Sequence, residues 1–259
     1  MAEALRLNRA GAAHALVLEG VSRTFGALVA LDKVDLTVGA GERRGILGAN
    51  GAGKTTLFNA ITGDFPSTAG RIRFFGEDVT KLAPFERIRR GMRRTYQNSM
   101  LFRGLSVLDN LYLACRGVSA GRFSFIRPRQ DDAALESARD LAHAVHLDGV
   151  AESLVSDLSH GQQRQLEIGM ALSGAPRLIL FDEPAAGLSP AERRDLVQIL
   201  SALPRHISFV IIEHDLDVAL RVVDRVTVMH NGAVFKHGTP AEIQDDPDVQ
   251  RIYLGGKHG

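Results

Sequence analysis

The stretch Gly48-Ala49-Asn50-Gly51-Ala52-Gly53-Lys54-Thr55 constrains this chain more than any other. It fits G-x-x-x-x-G-K-[ST], a loop that wraps nucleotide phosphates when a strand precedes it and a helix follows. Both flanks comply. Arg43-Arg44-Gly45-Ile46-Leu47 reads as a short strand, and Thr55-Thr56-Leu57-Phe58-Asn59-Ala60-Ile61 as a helix start. Glycines at 48, 51 and 53 let backbone N–H groups converge on one point without Cβ clashes. The helix adds about half a positive charge at the same point. Lys54 can reach the β- and γ-phosphates, and the Thr55 hydroxyl suits Mg²⁺. An ordinary glycine-rich turn with a chance Lys-Thr is the alternative, and the flanking pattern argues against it.

At 259 residues the chain can bury one large core or two small lobes, and 45% apolar with 24% charged residues is ordinary for a soluble globular protein. A net charge of +1 provides no general attraction to nucleic acid, so any basic site must be local. The single cysteine, Cys115, rules out an intramolecular disulfide, fits a reducing compartment and reads as a small buried hydrophobe. No run approaches the roughly 18 apolar residues of a membrane span. Met1 to Ala15 mixes Glu3, Arg6, Asn8 and Arg9 among alanines and reads as a loose leader without a secretory core. The expectation is a soluble protein that docks on a membrane through partners.

Strands are predicted at 15–19, 34–38 and 71–75, and helical periodicity then takes over around 84–91, 106–116 and 131–147. The connection Gly117 to Gln130 reads as a loop or insertion. Strands return at 178–181, 208–212 and 225–229, alternating with helices at 190–202 and 215–222. The first two are continuous apolar runs, as expected where both faces of a parallel sheet are covered. Asn231-Gly232 closes a hairpin into Ala233-Val234-Phe235. The pattern gives an α/β fold in which a helical lobe interrupts a strand-rich one.

Two further motifs carry chemistry. Asp182-Glu183-Pro184 puts two acids at the C-terminal end of a buried strand, the edge where ligands sit in such sheets. Asp182 can hold the Mg²⁺ that Thr55 also touches, and Glu183 can orient and deprotonate water, help worth about 10²–10⁴-fold. A solvated Asp-Glu pair is the plainer reading. Leu158-Ser159-His160-Gly161-Gln162-Gln163 opens a helical run from Gln163 to Leu172, with Ser159 a good N-cap and the helix start a second anion site. A merely capped helix is the alternative. Two phosphate sites on different lobes suggest head-to-tail pairing, with each ATP held between the phosphate loop of one subunit and the Ser-x-Gly-Gln of its partner.

GANGAGKT, Gln97, LSHGQ, LILFDE and His214, in that order, resemble the ATPase subunit of an ABC transporter over nearly the whole chain. No N/T-K-x-D tetrapeptide points to a GTPase. The resemblance implies a P-loop ABC ATPase domain: a RecA-like core sheet with an antiparallel β subdomain (14–85 and 172–240), an inserted helical signature subdomain (86–171) and a C-terminal tail (241–259). It implies nucleotide contacts from Phe25, Gly48, Asn50, Gly51, Gly53, Lys54, Thr55 and Thr56, and across the dimer from Ser159, Gly161 and Gln162. Phe25 would stack on adenine, although by itself it reads as a core aromatic. Gln97, otherwise an exposed loop residue, would sense Mg²⁺ and water beside Thr55 and Asp182 and relay nucleotide state to a membrane partner. His214, otherwise a turn residue, would contact the γ-phosphate and the attacking water that Glu183 activates. Ala186-Gly187-Leu188-Ser189 would meet the opposing subunit. His160 stands where the commonest signature has glycine, and Ser189 where that segment usually ends in Asp.

A closer resemblance is to the branched-chain amino-acid branch of these ATPases. It rests on Arg94-Thr95-Tyr96-Gln97, Gly161-Gln162-Gln163-Arg164, the run Asp182 to Leu188 and the tail Asp246 to Gly255. Urea/amide importers and lipopolysaccharide-export ATPases share parts of it. The implied cofactors are ATP and Mg²⁺. The implied partners are a second ABC ATPase subunit, alike or different, two integral-membrane permease subunits and, through them, a periplasmic or extracellular solute-binding protein, with no nucleic acid. The implied place is the cytoplasmic face of the inner membrane. A soluble ABC ATPase acting on ribosomes or DNA is a rival, but its usual second cassette or long coiled coil does not fit this length. A homodimer that binds ATP without turnover is another. The cluster Arg87, Arg89, Arg90, Arg93 and Arg94 reads by default as a solvated helix face, or as a contact for phospholipid or permease. His143 and His146 lack a third ligand for a metal.

Overall fold

The computed structural model describes residues 13–95, 101–117 and 133–254, the side chains of 252–254 excepted. Strands β1 (His14–Phe25) and β2 (Leu28–Gly39) form a long antiparallel hairpin, followed by β3 (Arg43–Leu47) and helix α1 (Lys54–Thr62). Strands β4 (Ala69–Phe74) and β5 (Glu77–Asp78) complete a four-stranded sheet in the order β2-β1-β4-β5. Helix α2 (Pro84–Arg89) leads to β6 (Met92–Thr95), and then come α3 (Val107–Gly117), α4 (Ala133–Ala144) and α5 (His160–Leu172). The chain returns through β7 (Leu178–Asp182), α6 (Pro190–Ala202), β8 (Ser208–Ile212), α7 (Leu216–Val222), β9 (Arg225–His230) and β10 (Ala233–Gly238). Helices α8 (Pro240–Gln244) and α9 (Pro247–Leu254) follow. No described helix is long and apolar enough to cross a membrane.

The six-stranded sheet runs β10-β9-β3-β8-β7-β6, parallel except for the β9–β10 hairpin. Its apolar runs are explained by two cores. Leu178 and Leu180 of β7 join Val210, Ile212 and the β1–β4 sheet with α1 on one face, and Ile179 and Phe181 join Phe209, Ile211 and the helices on the other. Alternate residues point to opposite faces, so a strand covered on both sides must be apolar throughout.

Several boundaries differ from expectation for local reasons. β1 and β2 extend well past 15–19 and 34–38, because register shifts along the pair let the ladder continue. Helix α4 stops at Ala144 rather than 147: His146 turns left-handed at φ 60°, and the Leu147 N–H donates back to the Ala142 carbonyl at 2.8 Å. Helix α5 starts at His160, not Gln163, because Ser159 and Gln162 exchange bonds in a capping box. Cys115 is buried, as its type suggests. The loop at 118–130 and the residues before 13 and after 254 lie outside the described residues.

The basic cluster is corrected more sharply. Arg89 is exposed, but Arg87 is only 2% exposed. Its guanidinium donates to the carbonyls of Ala60 and Ile61 in the last turn of α1 and to those of Thr80 and Leu82. A helix leaves its last carbonyls unpaired, and a planar fork of donors satisfies several at once. Burial lowers the Arg87 pKa to about 10, so the group stays charged at neutral pH. Arg94 is also withdrawn from water, as described below.

Candidate nucleotide site

Strand order puts the chemistry on one edge. β3 pairs with β8 up to Ile46–Ile212, and β7 with β8 up to Asp182–Ile212, so the phosphate loop, the two acids and the segment bearing His214 all leave the sheet at the same end. The loop needs its glycines. Gly53 has φ 96°, and a Cβ there would lie 2.6 Å from the Ala30 carbonyl oxygen.

Asn50, Gly51, Gly53, Lys54, Thr55 and Thr56 line one cavity of about 470 Å³ that Glu183 and His214 line as well. Gly48 is not among its lining residues; its carbonyl accepts from Lys54 Nζ at 2.7 Å, and that of Ala49 accepts from the same ammonium at 3.0 Å. Burial lowers the Lys54 pKa, and the charges of Glu183 and Asp182 oppose that shift.

Asp182 is 1% exposed, not solvated. Burial pushes its carboxyl up, while the hydrogen bond and charge of Arg94 hold it down. Oδ2 accepts from Arg94 at 2.7 Å, and Oδ1 is buried without a hydrogen-bond partner among the described residues. Glu183 adopts φ 50°, a costly conformation for a residue with a Cβ. Its N–H donates to the Ile212 carbonyl at 2.9 Å, and the Glu213 carboxylate accepts from Ala185 N at 2.6 Å. Those anchors hold the turn. The Glu183 carboxylate meets His214 Nε2 at 2.7 Å, so these two expected site residues do come together.

Phe25 does not line the cavity. Its ring packs edge-on against Phe65 at 5.8 Å with the Arg23 guanidinium 4.5 Å away, and it remains 40% exposed. Leu28 and Val29, which the sequence did not single out, do line it. Gln97 lies outside the described residues.

Ser159, Gly161 and Gln162 line a second cavity of about 450 Å³ that shares no lining residue with the first. Ser159 Oγ accepts from Gln162 N at 3.1 Å, as an N-cap should. Glu192 is the unexpected member: its Oε1 accepts from Gly161 N at 3.1 Å and from Ser159 Oγ at 3.4 Å. Its other oxygen accepts from Ser189 N at 2.9 Å in the capping box of α6. Ser189 thus caps α6 as an Asp would. His160 Nε2 lies 3.2 Å from the Ala186 carbonyl, tying the helix start to the turn that follows the two acids.

The metal implied by the resemblance fits these side chains. The Thr55 hydroxyl and Asp182 carboxylate are hard oxygen donors, and the orphaned Oδ1 is a buried acceptor in need of a partner.

A phosphate loop on a sheet covered by antiparallel strands on one face and helices on the other, one of them opening with a capped Ser-x-Gly-Gln, defines the ATP-binding cassette class of P-loop ATPases. Residues 31–186 match the ABC transporter family model, and 237–259 match that of the branched-chain amino acid ATP-binding cassette transporters. The high-affinity branched-chain amino acid transport ATP-binding protein BraF of Pseudomonas aeruginosa is 36% identical over 250 residues, 93% of this chain and 97% of that one. LivG of Escherichia coli, a protein of the same description, is 35% identical over 248 residues with the same coverage. The crystal structure of the ADP conformation of MJ1267, an ATP-binding cassette of an ABC transporter, superposes with a TM-score of 0.83 at 32% identity, covering 93% of this chain and 99% of that one. A nucleotide-free cassette superposes at 0.82 with 31% identity, covering 93% and 98%. The chain belongs to the ABC transporter family, in its branched-chain amino-acid group.

Proposed function

We propose that this chain binds ATP at the phosphate-loop cavity, hydrolyses it, and powers the import of branched-chain or other hydrophobic amino acids through two membrane permease subunits fed by a solute-binding protein. The observation that carries the reading is the meeting of Glu183 and His214 at 2.7 Å in the wall of the cavity that Lys54 and Thr55 also line. The work would be done at the cytoplasmic face of the membrane. The division into a core (14–85 and 172–240), a helical lobe (86–171) and a tail (241–259) belongs to the same reading.

Lys54 would exchange the carbonyls of Gly48 and Ala49 for the β- and γ-phosphates, a trade of neutral for charged acceptors. Thr55, Asp182 and Gln97 would hold Mg²⁺, which supplies charge neutralisation at the phosphates. Glu183 would take a proton from the attacking water, and His214 would orient that carboxylate and contact the γ-phosphate. Left-handed backbone at Glu183 fits a side chain aimed by its turn at a cost met elsewhere in the fold. Phe25, at the end of β1 with its ring still 40% exposed, would offer its face to the adenine beside Leu28 and Val29. Ser159, Gly161 and Gln162 would complete the site from a second ATPase subunit. A water-excluded site between two subunits is how such catalysis gains from positioning and charge.

Glu183→Gln is expected to keep ATP affinity within about twofold while lowering steady-state phosphate release by about 10²-fold or more. Near-parental turnover would remove Glu183 from the base role. Lys54→Ala is expected to abolish the calorimetric signal for ATP, and unchanged affinity would contradict the phosphate-loop reading.

A further inference from the structure

Arg94 stands at the end of β6, three residues before Gln97, and its guanidinium reaches two other elements. One terminal nitrogen donates to Asn59 Oδ1 at 2.5 Å and to Asp64 Oδ2 at 2.9 Å, and the other donates to Asp182 Oδ2 at 2.7 Å. The Arg94 side chain is 6% exposed and that of Asp182 1%, so the pair is shielded from solvent. Asn59 follows Thr55 by four residues on α1, so the two side chains leave the same face of that helix one turn apart. The neighbouring Thr95 Oγ1 accepts from the Asp182 N–H at 3.3 Å, so β6 grips Asp182 at both its carboxylate and its amide.

We infer that Arg94 is a positioning residue for the metal. It fixes the Thr55-bearing helix against the Asp182-bearing strand and occupies Oδ2, leaving Oδ1 as the oxygen available to Mg²⁺. This rests on the assignment of Thr55 and Asp182 as metal ligands. A planar fork is required, because one ammonium cannot span acceptors on two elements in fixed directions. An ion pair of merely structural use would affect stability and leave metal dependence unchanged.

The test is calorimetry of ATP binding, first in EDTA and then across a Mg²⁺ titration, for the parent, Arg94→Gln, Arg94→Lys and Asp64→Asn. In EDTA all four are expected to bind ATP within about twofold of one another. The Mg²⁺ needed for half of the metal-dependent gain should rise about tenfold or more in Arg94→Gln, the range seen when a group orienting a ligand is lost. Arg94→Lys should rescue little of it. Asp64→Asn, which weakens one anchor and leaves the Asp182 pair, should shift it about two- to fivefold. Turnover should fall through kcat with KM for ATP changed less than about threefold. A folded Arg94→Gln with the parental Mg²⁺ requirement overturns the inference, and so does a lower requirement, which would make Arg94 a competitor of the metal. If Arg94→Gln does not fold, an unchanged requirement in both Arg94→Lys and Asp64→Asn overturns it equally. A parent without any Mg²⁺-dependent gain would instead sink the ligand assignment, and the inference with it.

Discussion

Arg87 shows what a single side chain contributes here, because it donates to four carbonyls, of which those of Ala60 and Ile61 are met in buried contacts and those of Thr80 and Leu82 in part-buried ones. Arg87→Met keeps much of the volume and strands those carbonyls, at about 1–3 kcal/mol for each that water cannot reach. A loss of at least ~3 kcal/mol in urea unfolding is expected, and a loss under ~1 kcal/mol would contradict the assigned role. Glu213 provides a pH signature. Burial raises its carboxyl above the ordinary 4.5, against the N–H donors of Ala185, Asp215 and His214. The folded chain therefore keeps that proton to higher pH than the unfolded chain does. Stability from this group is full below the ordinary value and is lost as pH climbs through the raised one. Glu213→Gln should remove that slope, so its melting temperature relative to the parent should climb as pH rises from 4.5 towards neutrality. A constant difference would show that Glu213 does not titrate this way. Neither residue was legible in the sequence. Arg87 and exposed Arg89 look alike on paper, and what separates them is the end of α1, which arrives from residues 60 and 61. Arg94 was hidden for the same reason, its partner Asp182 lying 88 residues away.

Elements announced by local chemistry were legible. The β3–loop–α1 unit follows from glycine spacing, and β7 with its two acids from an apolar run that only a doubly covered strand requires. The start of α5 is written in its capping box, Ser159 with Gln162, which hydrophobic periodicity alone does not register. The packing of α6 against α5 is different in kind. Glu192 signals a capping box with Ser189, but nothing local says that its second oxygen binds Gly161, 31 residues away. That contact puts a carboxylate on the amide where the head-to-tail arrangement would seat a phosphate. Glu192→Gln preserves the capping box and removes the charge. The variant is expected to associate at about two- to fivefold lower ATP, the scale of a charge at a helix N-terminus, when oligomeric state is followed by sedimentation. An unchanged or higher ATP requirement would mean that Glu192 does not oppose closure.

At the scale of the whole molecule, the two cavities have no lining residue in common, and the fold of one chain leaves the phosphate loop and the Ser159–Gly161–Gln162 segment in separate walls. The proposed head-to-tail pairing would use both. On that proposal His160, 3.2 Å from the Ala186 carbonyl, would couple the segment offered to the partner to the turn that follows Glu183. That pairing is proposed on the sequence from two anion sites on different lobes, whereas the contacts at its helix start, from His160 and from Glu192, needed the tertiary structure. Its most direct test is the mass by light scattering of the Glu183→Gln chain, alone and mixed with its cognate second ATPase, with and without Mg²⁺ and ATP. The account predicts that the 28.1 kDa chain becomes a two-subunit particle only with nucleotide, and that adding Ser159→Glu leaves ATP bound but the particle single. A chain that stays single with ATP bound under both conditions, or a pair that forms equally well with Ser159→Glu, would contradict it.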